Sequence, residues 1–430
     1  MQRLRIRVHC ATRRPLGGVF IVAISVLACI SCETGNTGRS CPTRPEGVNS
    51  SGSAPREDGE CRTALRQLAS EQMDEVRSAF RFFLSRNCEE DLTSACKSDT
   101  KALARRAKII LRLRSAHLRR LLLECRLAGG PSGLYALDFP SMDFLRILQA
   151  SQVSIAPKQN VGCGLCPEPS LLDLESRRQE KLELPRHIAW NEPPLWSLDG
   201  NRLCFVEVDE DRIPTGCVTQ YDVKLQVANS WKVAKYGDQS LRLGGIQGGP
   251  NEALWIARTN SLTQARTELG LASQGIAFVQ IQVKDCISFC IPTSQECLQA
   301  AVLSRADNSI DISIVDEACS TIGKCSTDFV RADAGMWDRE SSTAVIVGEN
   351  ASGAKGVSFV DLEKHAATFA TIPLPEHVIS LAVDTGMRIA VLVTIDVKGI
   401  CRTYLVSSTD SEALAVEFLP DEIARCFVGP

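Results

Sequence analysis

Hydrophobic positions recur with a helical period in two early segments. From Arg62 to Arg86 the apolar residues Leu65, Leu68, Val76, Phe80 and Phe83 fall on one helical face, and from Lys101 to Leu127 so do Leu103, Ile110, Leu113, His117 and Leu121. Gly129-Gly130-Pro131 stops the second segment. Beyond Pro185 short β-branched runs alternate with turn residues, which predicts an all-β domain of about 245 residues. Residues 131–186 carry no sustained period, only a short helical pattern at Met142 to Gln149 and a strand-like Val153 to Ile155, so this stretch is expected to be a connector.

Cysteine positions turn the two helices into a pair. Cys61 and Cys88 bracket the first, and Cys96 and Cys125 bracket the second. At about 1.5 Å rise per residue each pair spans roughly 40 to 44 Å, so an antiparallel hairpin over residues 61–130 sets Cys61 beside Cys125 and Cys88 beside Cys96. Those two disulfides are predicted, because a Cys61–Cys88 bond needs Cα atoms about 5.5 Å apart. Cys163-Gly164-Leu165-Cys166 is expected to hold a third: redox use would require a βαβ setting, and zinc would require two further ligands, for which Cys286, Cys290 and Cys297 are conceivable.

Nineteen cysteines in 430 residues suit an oxidising compartment, and the leader agrees. Arg3, Arg5, Arg7, Arg13 and Arg14 precede the apolar run Val19 to Ile30, which is too short to span a bilayer and fits an export signal. Within it Val26-Leu27-Ala28-Cys29 resembles the lipobox of bacterial lipoproteins. The resemblance implies cleavage after residue 28 and lipid attachment at Cys29, with Cys32 as the alternative. Residues 33–60 contain no Leu, Ile, Met or aromatic, and 17 of the 28 are Gly, Ser, Pro, Thr or Asn, so residues 29–60 read as an anchor followed by a flexible tether.

The clearest β unit is Pro194-Leu195-Trp196-Ser197-Leu198-Asp199-Gly200-Asn201-Arg202-Leu203-Cys204-Phe205-Val206, in which Asp199-Gly200 supplies a tight turn between alternating strands. It resembles the W-S-x-D-G-x-x-L-x-F signature of TolB-like β-propeller blades. Met336-Trp337-Asp338 and Leu381-Ala382-Val383-Asp384 echo it. Trp196 and Trp337 lie 141 residues apart, three blade lengths of 47. Further units are expected near Leu243 and Leu298, and a sixth from residues 150–186 together with Ala415 to Leu419. The fold class is thus multidomain α plus all-β: a disulfide-clipped helical hairpin, then a β-propeller of five to six blades over residues 187–430. An irregular β-sandwich is the alternative.

Charge is polarised, with residues 62–126 holding 15 Lys and Arg against 8 Asp and Glu. Arg105, Arg106, Arg112, Arg119 and Arg120 form a basic face that could engage an anionic envelope polymer, although a solvated face explains the same residues. No aromatic interleaves them, so nucleic acid is not an expected partner. His187, His365 and His377 are scattered, no G-x-S-x-G, H-E-x-x-H or phosphate-binding loop occurs, and Asp209-Glu210-Asp211 and the loop Asp307 to Asp311 read as turn chemistry. No catalytic residue, metal site, cofactor or small-molecule substrate is assigned. The expectation is a non-catalytic binding or scaffold lipoprotein of the cell envelope, partnered by a protein or polymer and by the membrane through its anchor; a hydrolase or lyase on the propeller face is the alternative.

Overall fold

A computed structural model describes residues 56–430, apart from 117, 127–131, 157–159, 166–167, 185–186, 190–193, 198, 234–238, 248–252, 261–266, 274–275, 293–298, 339–340, 373–376, 385, 421 and 430. The leader, Cys29, Cys32 and most of the expected tether lie outside the described residues. The tether as drawn runs too far, because helix α1 (Arg56–Leu68) already begins within it.

Three more helices follow: α2 (Met73–Ser85), α3 (Glu89–Ala95) and α4 (Lys101–Ser115). The apolar face expected over residues 62–86 is buried, with Leu68, Val76, Phe80 and Phe83 inaccessible to solvent. Its continuity is not observed. After Leu68 the chain turns, Ser70 Oγ accepting the Gln72 amide at 3.1 Å, and α2 folds back along α1. That reversal brings Cys61 and Cys88 to a Cα separation of 6.8 Å and joins them in a disulfide. The predicted Cys61–Cys125 and Cys88–Cys96 pairs are therefore replaced, since their argument assumed one unbroken 40 Å helix. Cys96 caps α3 and Cys125 is buried in a strand, neither in a disulfide.

The second helix also ends early. The run Leu121-Leu122-Leu123 belongs to strand β1 (Arg120–Arg126), every residue of which from Leu121 to Cys125 is buried. A leucine run buried on both faces suits a strand between two partners as well as a helix, and here pairing decides. β1 lies between β2 (Ser132–Asp138) and the last strand of the chain, β28 (Ile423–Gly429), with β3 (Asp143–Leu148) outermost.

This four-stranded sheet is the first of seven blades. The second is β4 (Ser154–Ile155), β5 (Val161–Gly164), β6 (Ser170–Asp173) and β7 (Arg178–Lys181), and the third is β8 (Leu195–Trp196), β9 (Arg202–Val208), β10 (Pro214–Asp222) and β11 (Val227–Lys232). The fourth comprises β12 (Gln239–Gln247), β13 (Ala253–Asn260), β14 (Thr267–Ser273) and β15 (Ile276–Gln280); the fifth, β16 (Cys286–Pro292), β17 (Ala300–Arg305), β18 (Ile310–Val315) and β19 (Thr321–Ser326). The sixth is β20 (Phe329–Asp338), β21 (Thr343–Asn350), β22 (Lys355–Asp361) and β23 (Ala366–Thr371), and the seventh β24 (His377–Val383), β25 (Ile389–Ile395), β26 (Cys401–Ser407) and β27 (Leu414–Ala415). The second to seventh blades are each an antiparallel meander of four consecutive strands, and the fifth and sixth meet where β16 pairs with β20 in parallel at Ile291 and Met336.

The architecture is therefore a β-propeller, with seven blades instead of five or six. The stretch read as a connector, 131–186, supplies β2 to β7. Closure by strands from both ends of the chain is observed, but the C-terminal contribution is β28 and not Ala415 to Leu419. Core clusters lie between blades: Phe205 and Trp196 pack against the second blade, and Trp255 packs with Phe289 of the fifth. The unit expected near Leu298 begins earlier, at β16.

Blade hairpins are fixed by carboxylates at their first residue. In the last hairpin of the second, third and sixth blades, Asp173, Asp222 and Asp361 each accept two backbone amides at 2.9 to 3.1 Å. Four residues on, Arg177, Gln226 and His365 all adopt positive φ. The acidic side chain closes an Asx turn and the left-handed residue turns the chain back.

Candidate functional site

The four helices sit on the seam where the ring closes, between the seventh and first blades. Their buried residues share one core with β1, β2, β28 and all four strands of the seventh blade. Phe80 of α2 meets Phe418 edge-on at 4.8 Å between ring centroids. On the other side of the seam Arg81 Nε donates to the Ser141 carbonyl at 2.6 Å.

This packing sets the place of the arginines singled out in the sequence. Arg106 is buried and donates to the carbonyls of Leu68 and Ser70 at 2.9 and 2.7 Å and to Glu417 at 3.0 Å. Arg105 pairs with the same Glu417. Arg112, also buried, donates to the Leu405 carbonyl at 2.7 Å and pairs with Asp410, and Lys108 reaches Glu412 at 2.8 Å. Arg120 pairs with Asp138 at 2.5 Å. Of the five arginines only Arg119 is exposed. The basic face of α4 points inward, onto acidic residues 410–417 of the ring, instead of outward toward a polymer.

What stays open is a groove of about 430 Å³ between α2 and the edge of the first blade. Its helical wall carries Asp74, Arg77 and Arg81, and its ring wall carries Asp143, Phe144 and Leu145. Phe144 is stacked on Tyr135 at 5.2 Å with rings 4° from parallel, so the ring wall is preformed. Leu145 leaves 45% of its surface in solvent. Charges of both signs around a held aromatic and an open aliphatic suit a macromolecular contact better than a small polar ligand.

Remaining sequence candidates are dispersed. His187 precedes the third blade, His365 turns a hairpin of the sixth and His377 opens the seventh, where its Nδ1 lies 3.3 Å from Lys355 Nζ. Asp209 accepts the Ile213 amide at 2.8 Å, and Asp311 is buried between Ser326 and Lys324 at 2.6 Å each. Asp384 accepts the amides of Arg388 and Ile389 at 2.7 and 2.6 Å, and burial outweighs those bonds in pushing its carboxyl up. Cys163 is buried and Cys166, like Cys297 and His117, lies outside the described residues.

The cysteines behave as apolar side chains. Burial pushes the Cys204, Cys290 and Cys426 thiols up to about 12, so they stay protonated at neutral pH and are poor nucleophiles. Among the described residues one disulfide forms, fewer than the compartment argument led us to expect. The exception in chemistry is the pair Cys61 and Cys88, whose sulfurs and an Asp91 carboxylate oxygen all lie within 4.8 Å of one another.

No protein-family model and no curated protein matches the chain. Among solved structures it is similar to an oligogalacturonate lyase in complex with manganese, at 14% identity over 67% of this chain and 84% of that one, with a TM-score of 0.49. An oligogalacturonate lyase from Vibrio parahaemolyticus follows at 10% identity over 64% and 83%, TM-score 0.48. TolB from Acinetobacter baumannii matches at 11% identity over 77% and 73%, TM-score 0.43. At such values these likenesses bear neither on activity nor on the blade count, which rests on the strand pairing described above.

Proposed function

We propose that this chain is an exported, lipid-tethered envelope protein whose seven-bladed ring is a rigid, non-catalytic platform for a macromolecular partner, contacted through the groove between α2 and β3. The leader, the Cys29 tetrapeptide and the polar stretch after it support delivery and tethering. One observation carries the binding role: α4's buried charges are committed to the ring, whereas Leu145 and the stacked Phe144 are presented between α2 and an edge strand.

A photo-crosslinking residue placed at Leu145 in the full chain in intact cells tests this. The expected result is a discrete adduct that is absent when the same residue replaces Leu225, a 73% exposed hairpin position of the third blade, and that disappears with Arg81→Glu. Equal labelling from both positions would sink the groove as the contact surface.

A further inference from the structure

We propose that Cys61, Cys88 and Asp91 form a binding site for a thiophilic divalent cation of the Zn²⁺ class in the dithiol form of the protein, so that a disulfide and a metal ion are alternative occupants of one position. The inference is independent of the groove.

Three facts converge. First, the donor atoms are assembled: two cysteine sulfurs and one carboxylate oxygen lie within 4.8 Å of one another. Zinc–sulfur bonds of about 2.3 Å place thiolates of a tetrahedral site roughly 3.5 to 4 Å apart. With Cα atoms 6.8 Å apart, side-chain rotation alone reaches that separation. Second, contacts other than the disulfide hold the scaffold. α1 is tied by Arg106 to the Leu68 carbonyl and by its own buried face, and α3 continues into α4, which is paired to the ring. Third, a coordination position is open. Cys88 and Asp91 line an open cavity of about 790 Å³ whose wall also carries Glu89, Glu90 and Lys97, so water or a carboxylate can complete a tetrahedron beside a wall in which acidic side chains outnumber the single lysine.

The chemistry balances simply. A dithiol reductant gives two electrons and two protons to the Cys61–Cys88 bond and leaves as its own disulfide. The ion then takes both sulfurs as thiolates, and two protons pass to solvent. Two thiolates select zinc or cobalt over magnesium or calcium.

The full chain is reduced with a dithiol, freed of reductant and titrated with Co²⁺. Three readouts are taken together: thiolate-to-cobalt charge-transfer absorption, metal content per chain and circular dichroism. The expected result is one ion per folded, reduced chain and none per oxidised chain. Cys61→Ser and Cys88→Ser should abolish the charge-transfer band, Asp91→Asn should keep it but weaken binding by roughly tenfold or more, and Cys96→Ser should change nothing. The proposal is overturned if the reduced chain binds no cobalt, if the band survives Cys61→Ser, or if reduction unfolds the helices so that no site remains.

Discussion

Arg106 and Glu417 meet at 3.0 Å although 311 positions separate them in the chain. Arg106 belongs to the helical layer and Glu417 to the segment that leads from the seventh blade into the closing strand, so the contact straddles the join of the ring. Arg106→Met would leave the Leu68 and Ser70 carbonyls without their donor and Glu417 with Arg105 alone. Removing one partner from a buried, multiply bonded charge costs roughly 3 to 5 kcal/mol, and partial exposure of Glu417 lowers the expected loss to about 2 to 3 kcal/mol. Urea unfolding monitored by tryptophan fluorescence measures it, and an unchanged midpoint would show that the helices ride on the ring without bracing it.

The neighbouring Arg112–Asp410 pair makes this bracing sensitive to acid. Burial raises the Asp410 carboxyl, but the Arg112 hydrogen bond and charge, the Glu412 amide and Lys108 together hold it below its ordinary value of 3.8. A carboxylate with a depressed folded-state pKa contributes stability that is fully present above its unfolded value and fades as pH falls through the folded one. Stability should thus decline below about pH 4, and Asp410→Asn should flatten that part of the profile while lowering stability at pH 7. Thermal melts of both proteins from pH 7 to pH 3 check the sign; parallel curves would contradict it.

Phe80 offers a test of the apolar half of the same interface. Its ring is inaccessible and meets Phe418. Truncation to alanine at such a site costs roughly 3 to 5 kcal/mol. Phe418→Leu, which keeps most of the volume, should cost under about 1.5 kcal/mol. Calorimetric unfolding of the two variants should rank them in that order.

The blade carrying the full Trp-Ser-x-Asp-Gly unit was legible in the sequence, because the turn demands its residues: Gly200 adopts φ of +68° and the Ser197 hydroxyl accepts the Arg202 amide at 2.9 Å. The pairing of Trp196 with Leu203, Trp337 with Ala344 and Val383 with Ala390 confirms that the echoes share a register, one residue later than Ala382 in the last. The first blade escaped because β1 is buried on both sides and reads as a helix, whereas the second was expected from residues 150–186 but was completed with Ala415 to Leu419, because strands as short as β4 do not show all four members of the blade. A signal was nevertheless present: Asp173-Leu174-Glu175 and Asp361-Leu362-Glu363 are 188 residues apart, four blade lengths of 47. The helical break at residues 69–72 was illegible by period alone, since Leu68 and Val76 stay in phase across it, and with it went the disulfide pairing and the groove.

Those repeated aspartates yield another expectation. Asp361 accepts the Glu363 and Lys364 amides and lies in a hairpin exposed to water. Asp361→Ala should lower stability only slightly, since solvent can replace both local hydrogen bonds, with faster amide exchange confined to residues 361–366. Exchange that accelerates across the whole sixth blade would mean the turn nucleates the sheet and does more than close it.

Ring closure gives the most demanding test. β28 pairs with β1 from Leu121 opposite Val428 to Cys125 opposite Ile423, and its Phe427 and Cys426 are fully buried. Behind it Glu124 accepts the amides of Gln152 and Val153 at 2.8 and 3.0 Å, tying the closing blade to the second one. Without β28 the edge of β1 would present unpaired backbone and a run of leucines, a template for association. A chain ending at Pro420 is therefore expected to elute as aggregates, and a peptide spanning residues 421–430, supplied during refolding, should restore a monomer by refilling the vacant edge. If the shortened chain is instead monomeric with an unaltered melt, closure comes from the helical layer alone and β28 is dispensable.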